Sequence, residues 1–473
     1  MKKQLLILVM MLLPIATMAN DVEIDGIYYH LITKAKIAEV IRNPNHYEGN
    51  IVIPESIVHE GASYTVTAIG DNAFLGCTGL TSIIIPDNVT VIGNNAFKGC
   101  AGLTAITIPN NVTSIGMGAF ESSGLTFITI PDSVKIIDFD TFKSCKSLTS
   151  VILPNGLKTI SSSAFFASGL ISIVLPDSLT IINGSAFSYC TSLTSVTFGN
   201  NLQSVGVDAF ATCPALTSVH ISDLEAWCKI YFSSSRFSTA YHLFLNGNEI
   251  KDLIIPNSFK SIPEGVFYNC IGLTSVTIPE GVTSIGNGTF GGCTGLNSLV
   301  IPNSVTTIGS GAFYGCTNIT SIALGNNIKD IGTRAFAECE KLETVYCYSE
   351  TVPYTGLEVF MGSYIQYATL YVPAASIESY KSKVPWSEFG TFKTIEDGVA
   401  QISSKAVLIQ SKGGILKVEG INDGTSVTIY SPDGKQAGSA VSHNGAALVG
   451  TNIQPGNTAI VKIGEKSVKY VVK

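Results

Sequence analysis

One stretch recurs along this chain with few changes, and LTSIIIPDNVTVIGNNAFKGCAGL at 80–103 shows it best. Apolar residues stand at Leu80, Ile83, Ile85, Val89, Ile92, Phe97 and Cys100, and Leu103 restarts the series 23 residues on. One copy cannot bury its own apolar edge, so copies must stack as a solenoid. The Leu-x-x-Ile-x-Ile spacing predicts a short strand with one buried face. Pro86 and Asn88 predict a turn, and Ile-Gly-x-x-Ala-Phe turns the chain again.

Phe97 has counterparts at Phe74, Phe120, Phe142, Phe165, Phe187, Phe210, Phe267, Phe290, Phe313 and Phe336, nearly all 22 or 23 residues apart. A packed coil admits few changes of length. The pattern resembles the leucine-rich repeats of the BspA-like bacterial surface proteins, whose unit reads close to LTSIxIPxxVTxIGxxAFxGC, and the resemblance covers about two thirds of the chain. It implies a mainly β leucine-rich-repeat solenoid of about 13 coils with a roughly 23-residue period. At roughly 4.8 Å per coil the array would be about 60 Å long.

The expected order is a signal peptide at 1–19, N-terminal cap hairpins at 20–70, the solenoid at 71–373 with an insertion at 223–249, a C-terminal cap at 374–398 and a small β-sandwich at 403–473. The signal reading rests on Lys2 and Lys3, an apolar run from Leu5 to Ile15, and small residues around Thr17-Met18-Ala19. That run is too short for a membrane span and nothing similar follows, so no transmembrane segment is expected in the mature chain. Charged residues make up only 13% and the net charge is −7 without a basic cluster, which argues against nucleic acid as a partner.

Nine of the eleven cysteines fall three residues after the repeat Phe: Cys77, Cys100, Cys145, Cys190, Cys213, Cys270, Cys293, Cys316 and Cys339. Stacking would align them in one inward column whose parallel side chains lack the crossed geometry of a disulfide. Ser123 and Ser168 replace two members, which a required bridge would not tolerate. Buried free thiols packed as small apolar groups are the expected state.

At the array's start, DGIYYHLI and NIVIPESIV read as hairpin strands leading into the first coil. The outward strand positions, such as Thr81, Ser82, Thr107 and Thr149, are mostly Thr and Ser, and predict a uniform surface without an apolar patch. Between Phe210 and Phe267 the spacing jumps to 57 residues. There Asp223 is placed to cap a short helix, and Asn246-Gly247 to turn a hairpin. After Pro373, a short helix followed by Trp386 and Phe389 would fold over the last coil.

From about Ala400, short alternating strands split by Gly and Asp turns predict the sandwich. Its ending resembles the sorting domains of type IX secretion, whose Ile-Tyr-x-x-x-Gly-Lys turn is matched at Ile429, Tyr430, Gly434 and Lys435. At Gly456-Asn457-Thr458-Ala459 it departs from the Gly-Tyr usual in that family. A sorting role and a plain accessory sandwich both stay open.

Catalytic patterns are lacking. Gly286, Gly288 and Gly291 match GxGxxG inside a repeat with no crossover unit around them. His30, His46, His59, His220, His242 and His443 are scattered, with no metal-ligand spacing. Asp87, Asp132 and Asp177 follow the strand Pro in their coils as turn residues. No enzyme activity, cofactor or metal is therefore expected.

The one cluster that stands out is aromatic: Trp227, Tyr231, Phe232, Phe237, Tyr241 and Phe244. Such rings supply interface anchors when exposed, or the small core of a folded insertion. The first five are the candidate partner-binding residues. Resemblance to the BspA-like proteins implies an exported cell-surface scaffold that binds protein or glycoprotein, an adhesin for host glycoproteins or neighbouring cells. A glycan-binding surface component, supported by any solvent-facing aromatic platform, is the alternative.

Overall fold

The computed structural model describes residues 20–395, apart from 234–236 and 238, and the strands between 408 and 471 with part of their connections. The expected signal at 1–19 lies outside the described residues, as do Gly434 and Gly456 of the sorting resemblance. The chain divides into two compact units, Met1–Ile250 with Tyr268–Cys270, and Lys251–Phe267 with Ile271–Lys473.

The first unit opens with antiparallel strands Asn20–Ile24, Ile27–Ile32 and Ile37–Val40. Asp25-Gly26 joins the first two with both residues at positive φ, the two-residue turn whose twist matches paired strands. Ile37–Val40 then pairs in parallel with Ala62–Ile69, which pairs with Val91–Ile92. The hairpins thus close the edge that the first coil would otherwise leave unpaired.

Each coil contributes to two parallel ladders. One aligns Ile137, Ile160, Ile182, Val205 and Phe232 through strand pairs in strict register. The other joins Ser172–Val174, Ser195–Thr197, Ser218–Ile221 and His242–Leu245. The Phe corners are bonded from coil to coil as well: the Phe97 N–H donates to the Ala119 carbonyl at 2.7 Å and the Gly99 N–H to the Glu121 carbonyl at 2.7 Å.

Inside those corners the Phe rings form a column. From Phe74 to Phe210, successive centroids lie 5.0–5.5 Å apart and planes differ by 2–13°. Backbone pairing holds coils about 4.8 Å apart, so the rings take the scaffold's spacing and near-parallel attitude. Tyr47 heads the column, 4.6 Å from Phe74 and tilted by 40°.

The segment expected as an insertion contains a coil of its own. Phe237 follows Phe232 by five residues, as Phe210 follows Val205, and strands on either side pair with the preceding coil. A short helix, Leu224–Lys229, takes the place of the usual turn. The 23-residue spacing fails there, yet the coil survives, and the solenoid has about 14 turns.

In the second unit the ladders resume at Asp252–Ile254 and Ser261–Ile262. The Phe column runs from Phe267 to Phe360, with centroids 5.3–5.7 Å apart. It ends on rings turned edge-on: Trp386 and Phe389 meet Phe360 at 72° and 81°. Strand Thr391–Ile395 pairs with Thr369–Pro373 beside this cap. C-terminally, two antiparallel sheets form the sandwich around Leu416, Val418, Val427, Ile429, Val449 and Val461.

Two corners per coil take left-handed backbone, two residues before and two after the Phe. Around Phe97 these are Asn95 and Gly99, which tolerate it. Thr212 holds the same place at φ 54° with a β-branched, exposed side chain. The Gly after the second strand answers a different need: a Cβ on Gly116 would lie 2.7 Å from the Asn94 nitrogen in the preceding coil. Thr212→Gly should therefore raise stability by about 1 kcal/mol, measured as a higher urea midpoint at unchanged slope. A lowered midpoint would show that the threonine's contacts outweigh its strain.

All eleven cysteines are buried. They do more than fill space, because column thiols donate to the Phe carbonyl one coil back. Cys100 reaches the Phe74 carbonyl at 3.0 Å, Cys145 that of Phe120 at 2.9 Å, and Cys316 that of Phe290 at 3.1 Å. Ser363 makes the equivalent bond to Phe336 at 2.6 Å, so a hydroxyl can replace the thiol.

Burial pushes the Cys190 and Cys347 thiols up to about 11 and those of Cys100, Cys213 and Cys339 to about 12. These protons are retained in the fold but released from the unfolded chain above about pH 8.5. Stability is thus fully present below that pH and falls as pH rises toward 11–12, by about 1.4 kcal/mol per thiol per pH unit while folded and unfolded protonation differ. Melts from pH 7 to 11 should show this decline. A flat profile would overturn the buried-thiol account.

Candidate functional site

The aromatic segment is built from its cap inward. The Asp223 carboxylate accepts from the N–H groups of Glu225 and Ala226 at 2.7 and 3.0 Å, fixing the start of Leu224–Lys229. That helix turns Trp227 into the coil, edge-on to Phe198 at 5.3 Å. Phe237 lies 5.6 Å from Phe210 in the ring column, and Tyr241 meets Phe237 edge-on at 5.0 Å. Trp227, Phe237 and Tyr241 are each at most 1% exposed.

As candidate anchors, those three are corrected by the structure: they are the interior of a coil, inaccessible to a partner. Phe232 is half-buried against Trp227. Tyr231 is 67% exposed, on the strand paired with Ser204–Val205. The sequence carried a signal for this split in the five-residue step from Phe232 to Phe237, which repeats the step from Val205 to Phe210.

The outward face of the other ladder is less uniform than its Thr and Ser content implies. Phe127, Ile152, Ile171 and Val174, on three successive coils, are 46–65% exposed. Neighbouring hydroxyls are engaged in the scaffold: those of Thr126, Thr149 and Thr194 donate to the carbonyls of Thr104, Thr126 and Ile171 at 2.9–3.3 Å. The expectation of a uniform Thr and Ser face is therefore corrected at these positions. Its signal was the replacement of repeat Thr or Ser by Phe127, Ile171 and Val174. Further along this ladder His220 stacks on Phe244 at 4.7 Å, at 18° between planes.

In the second unit the corresponding row ends in Ala323, Tyr346, Tyr371 and Lys393, brought side by side by strand register. Tyr346 and Tyr371 stack at 4.5 Å and 18°.

Among the described residues no three His, Cys, Asp or Glu side chains converge as a metal site. An activated thiol needs its pKa lowered, whereas burial raises those of the column. Among the described residues no helix is long and apolar enough to cross a membrane.

Parallel ladders, a stacked Phe column and a 23-residue coil define a leucine-rich-repeat solenoid. The chain belongs to the BspA type leucine rich repeat family, whose model matches residues 56–125, 113–239 and 238–366. Its fold is similar to that of a leucine-rich repeat protein from Bacteroides ovatus, 28% identical, over 80% of this chain and 100% of that one, with a TM-score of 0.49. The pneumococcal vaccine antigen PcpA is 19% identical over 80% and 99% of the two chains, with a TM-score of 0.43. A leucine rich cell surface protein from Faecalibacterium prausnitzii is 23% identical over 70% and 95%, with a TM-score of 0.35. No curated protein matches the chain.

The division of the aromatic segment is testable through stability. Trp227→Ala should cost about 3–5 kcal/mol, whereas Tyr231→Ala should change the unfolding free energy by less than about 0.5 kcal/mol. Chemical denaturation followed by circular dichroism measures both. Equal stabilities would mean that Trp227 is not part of the core.

Proposed function

We propose that this protein is an exported, non-enzymatic surface scaffold that binds protein or glycoprotein partners, an adhesin, through the strand face of its first unit. The observation that carries this reading is the exposure of Phe127, Ile152, Ile171 and Val174 on three successive coils. Large apolar side chains on neighbouring coils, interspersed with Thr and Ser, have the composition of a contact surface. Tyr231 is a second contact point, since an exposed Tyr supplies large contact area at low entropic cost.

Family membership supports a surface scaffold, and the apolar run before Thr17-Met18-Ala19 supports export. The Ile429-Tyr430 strand end and final strand Lys466–Val471 support a sorting role for the C-terminal sandwich.

Ile152→Asp combined with Val174→Asp should weaken binding to immobilised extracellular-matrix glycoproteins at least about tenfold, because a partner would have to desolvate two carboxylates. Both side chains point to solvent, so the melt should stay within a few degrees of the parent. Surface plasmon resonance on the full chain measures the effect. Undiminished binding by the folded double variant would remove this face from the contact.

A further inference from the structure

In the first unit, the ladder that sets Ile137, Ile160, Ile182 and Val205 inward carries an outward row whose side chains alternate in size. Register aligns Ile136, Thr159, Ile181, Ser204 and Tyr231 on five successive coils. Ile136, Ile181 and Tyr231 are 51%, 38% and 67% exposed, whereas Thr159 and Ser204 between them are short and half-buried. The paired strands just before this sheet begin the same alternation with Val91 and Ser114. In the second unit the corresponding row reads Ser261, Ser284, Thr307, Asp330 and Tyr354, without the alternation.

A large side chain on every second coil makes ridges about 9.6 Å apart, with one notch over Thr159 and another over Ser204. That interval discriminates among the regular conformations of a partner chain. A polyproline II helix returns a side chain to the same edge every third residue, about 9.3 Å along its axis. An extended strand does so every second residue, about 6.7 Å along, and an α-helix every seventh, about 10.5 Å along. Between the first ridge and the third, polyproline II drifts by about 0.6 Å and the α-helix by about 1.8 Å, while a strand misses the middle ridge by about 3 Å.

Charge narrows the partner further. Lys135 and Lys158 directly precede Ile136 and Thr159; both are exposed, and the Lys158 N–H donates to the Lys135 carbonyl at 2.8 Å, which sets them on adjacent coils. Among the described residues neither joins a salt bridge. The Lys135 ammonium donates to the Asp132 backbone carbonyl at 2.6 Å, while the Asp132 and Asp138 carboxylates accept from the N–H groups of Asn155 and Phe139. Two cations beside the first notch fit a carboxylate next to whatever residue is seated there.

We propose that this row binds an acidic, proline-rich segment of a partner protein in the polyproline II conformation, with every third residue seated in a notch and a carboxylate on Lys135 and Lys158. A proline ring suits a shallow notch, and its fixed φ lowers the ordering cost of binding. The row lies on the other ladder from Phe127, Ile152, Ile171 and Val174 and shares only Tyr231 with the contact proposed above.

The test is calorimetric titration of the full chain with a capped peptide of four Pro-Pro-Glu triplets. Four Pro-Pro-Lys triplets keep the conformation and reverse the charge, whereas four Gly-Ser-Glu triplets keep the charge and lose the conformation. Saturable binding of the first peptide is expected, weakened by salt, with each comparison peptide at least about tenfold weaker. Thr159→Tyr closes the first notch and should weaken binding about tenfold or more, whereas Thr159→Val keeps it and should change affinity by less than about twofold. Lys135→Gln with Lys158→Gln should remove the preference for Pro-Pro-Glu over Pro-Pro-Lys. Should Thr159→Tyr unfold, Ser204→Tyr tests the second notch in the same way. The folded Ile152→Asp, Val174→Asp variant should bind the peptide as the parent does, which separates failure here from failure of the other face. No saturable binding, equal affinity for either comparison peptide, or indifference of the folded notch variants would overturn the proposal.

Discussion

The parallel hydrogen bonds between successive coils set the spacing to which every other column conforms. Strand backbones about 4.8 Å apart leave no choice about where a side chain's counterpart will stand in the next turn. Phenylalanine rings consequently stack in series, thiols point at the carbonyl one coil back, and the Gly after the second strand recurs because backbone already occupies the space of its Cβ. Each is the same contact made repeatedly, so stability accumulates by neighbour terms instead of through one central core.

Much of this was legible in the residues because periodicity survives translation into structure so directly. The Phe series, the buried cysteines, the Asp223 cap, the Asn246-Gly247 turn and the Trp386–Phe389 terminus all follow from local chemistry at fixed spacing. Phe237 was harder to place because the chain reaches its column through a helix, which alters the residue count while keeping the ladder pairing. Its neighbours Trp227 and Tyr241 then read as display residues, although they fill that coil. Composition also hid the role of Cys: a small apolar group and a hydrogen-bond donor look alike in sequence, and Ser363 on Phe336 tells them apart.

The outward face was the least legible part, for a physical reason. Backbone pairing does not constrain side chains that point into water, so Thr, Phe, Ile or Tyr can occupy the same row without breaking the period. The exposed Phe127, Ile152, Ile171 and Val174 and the stacked pair Tyr346–Tyr371 are departures from the repeat, and for the tyrosines it is register that sets the two rings side by side. The inward thiols, by contrast, hold their protons more tightly than usual because burial disfavours the thiolate.

The hydroxyls that Thr126, Thr149 and Thr194 turn onto the preceding coil give this arrangement an evolutionary consequence. Outward positions fall into two kinds: some are moored to the scaffold, and others are held by nothing but the solvent. Selection can rewrite the second kind one residue at a time, with little loss of stability to be compensated elsewhere. A lineage carrying such a solenoid can thus alter the side chains it shows to solvent while inheriting the same ladders.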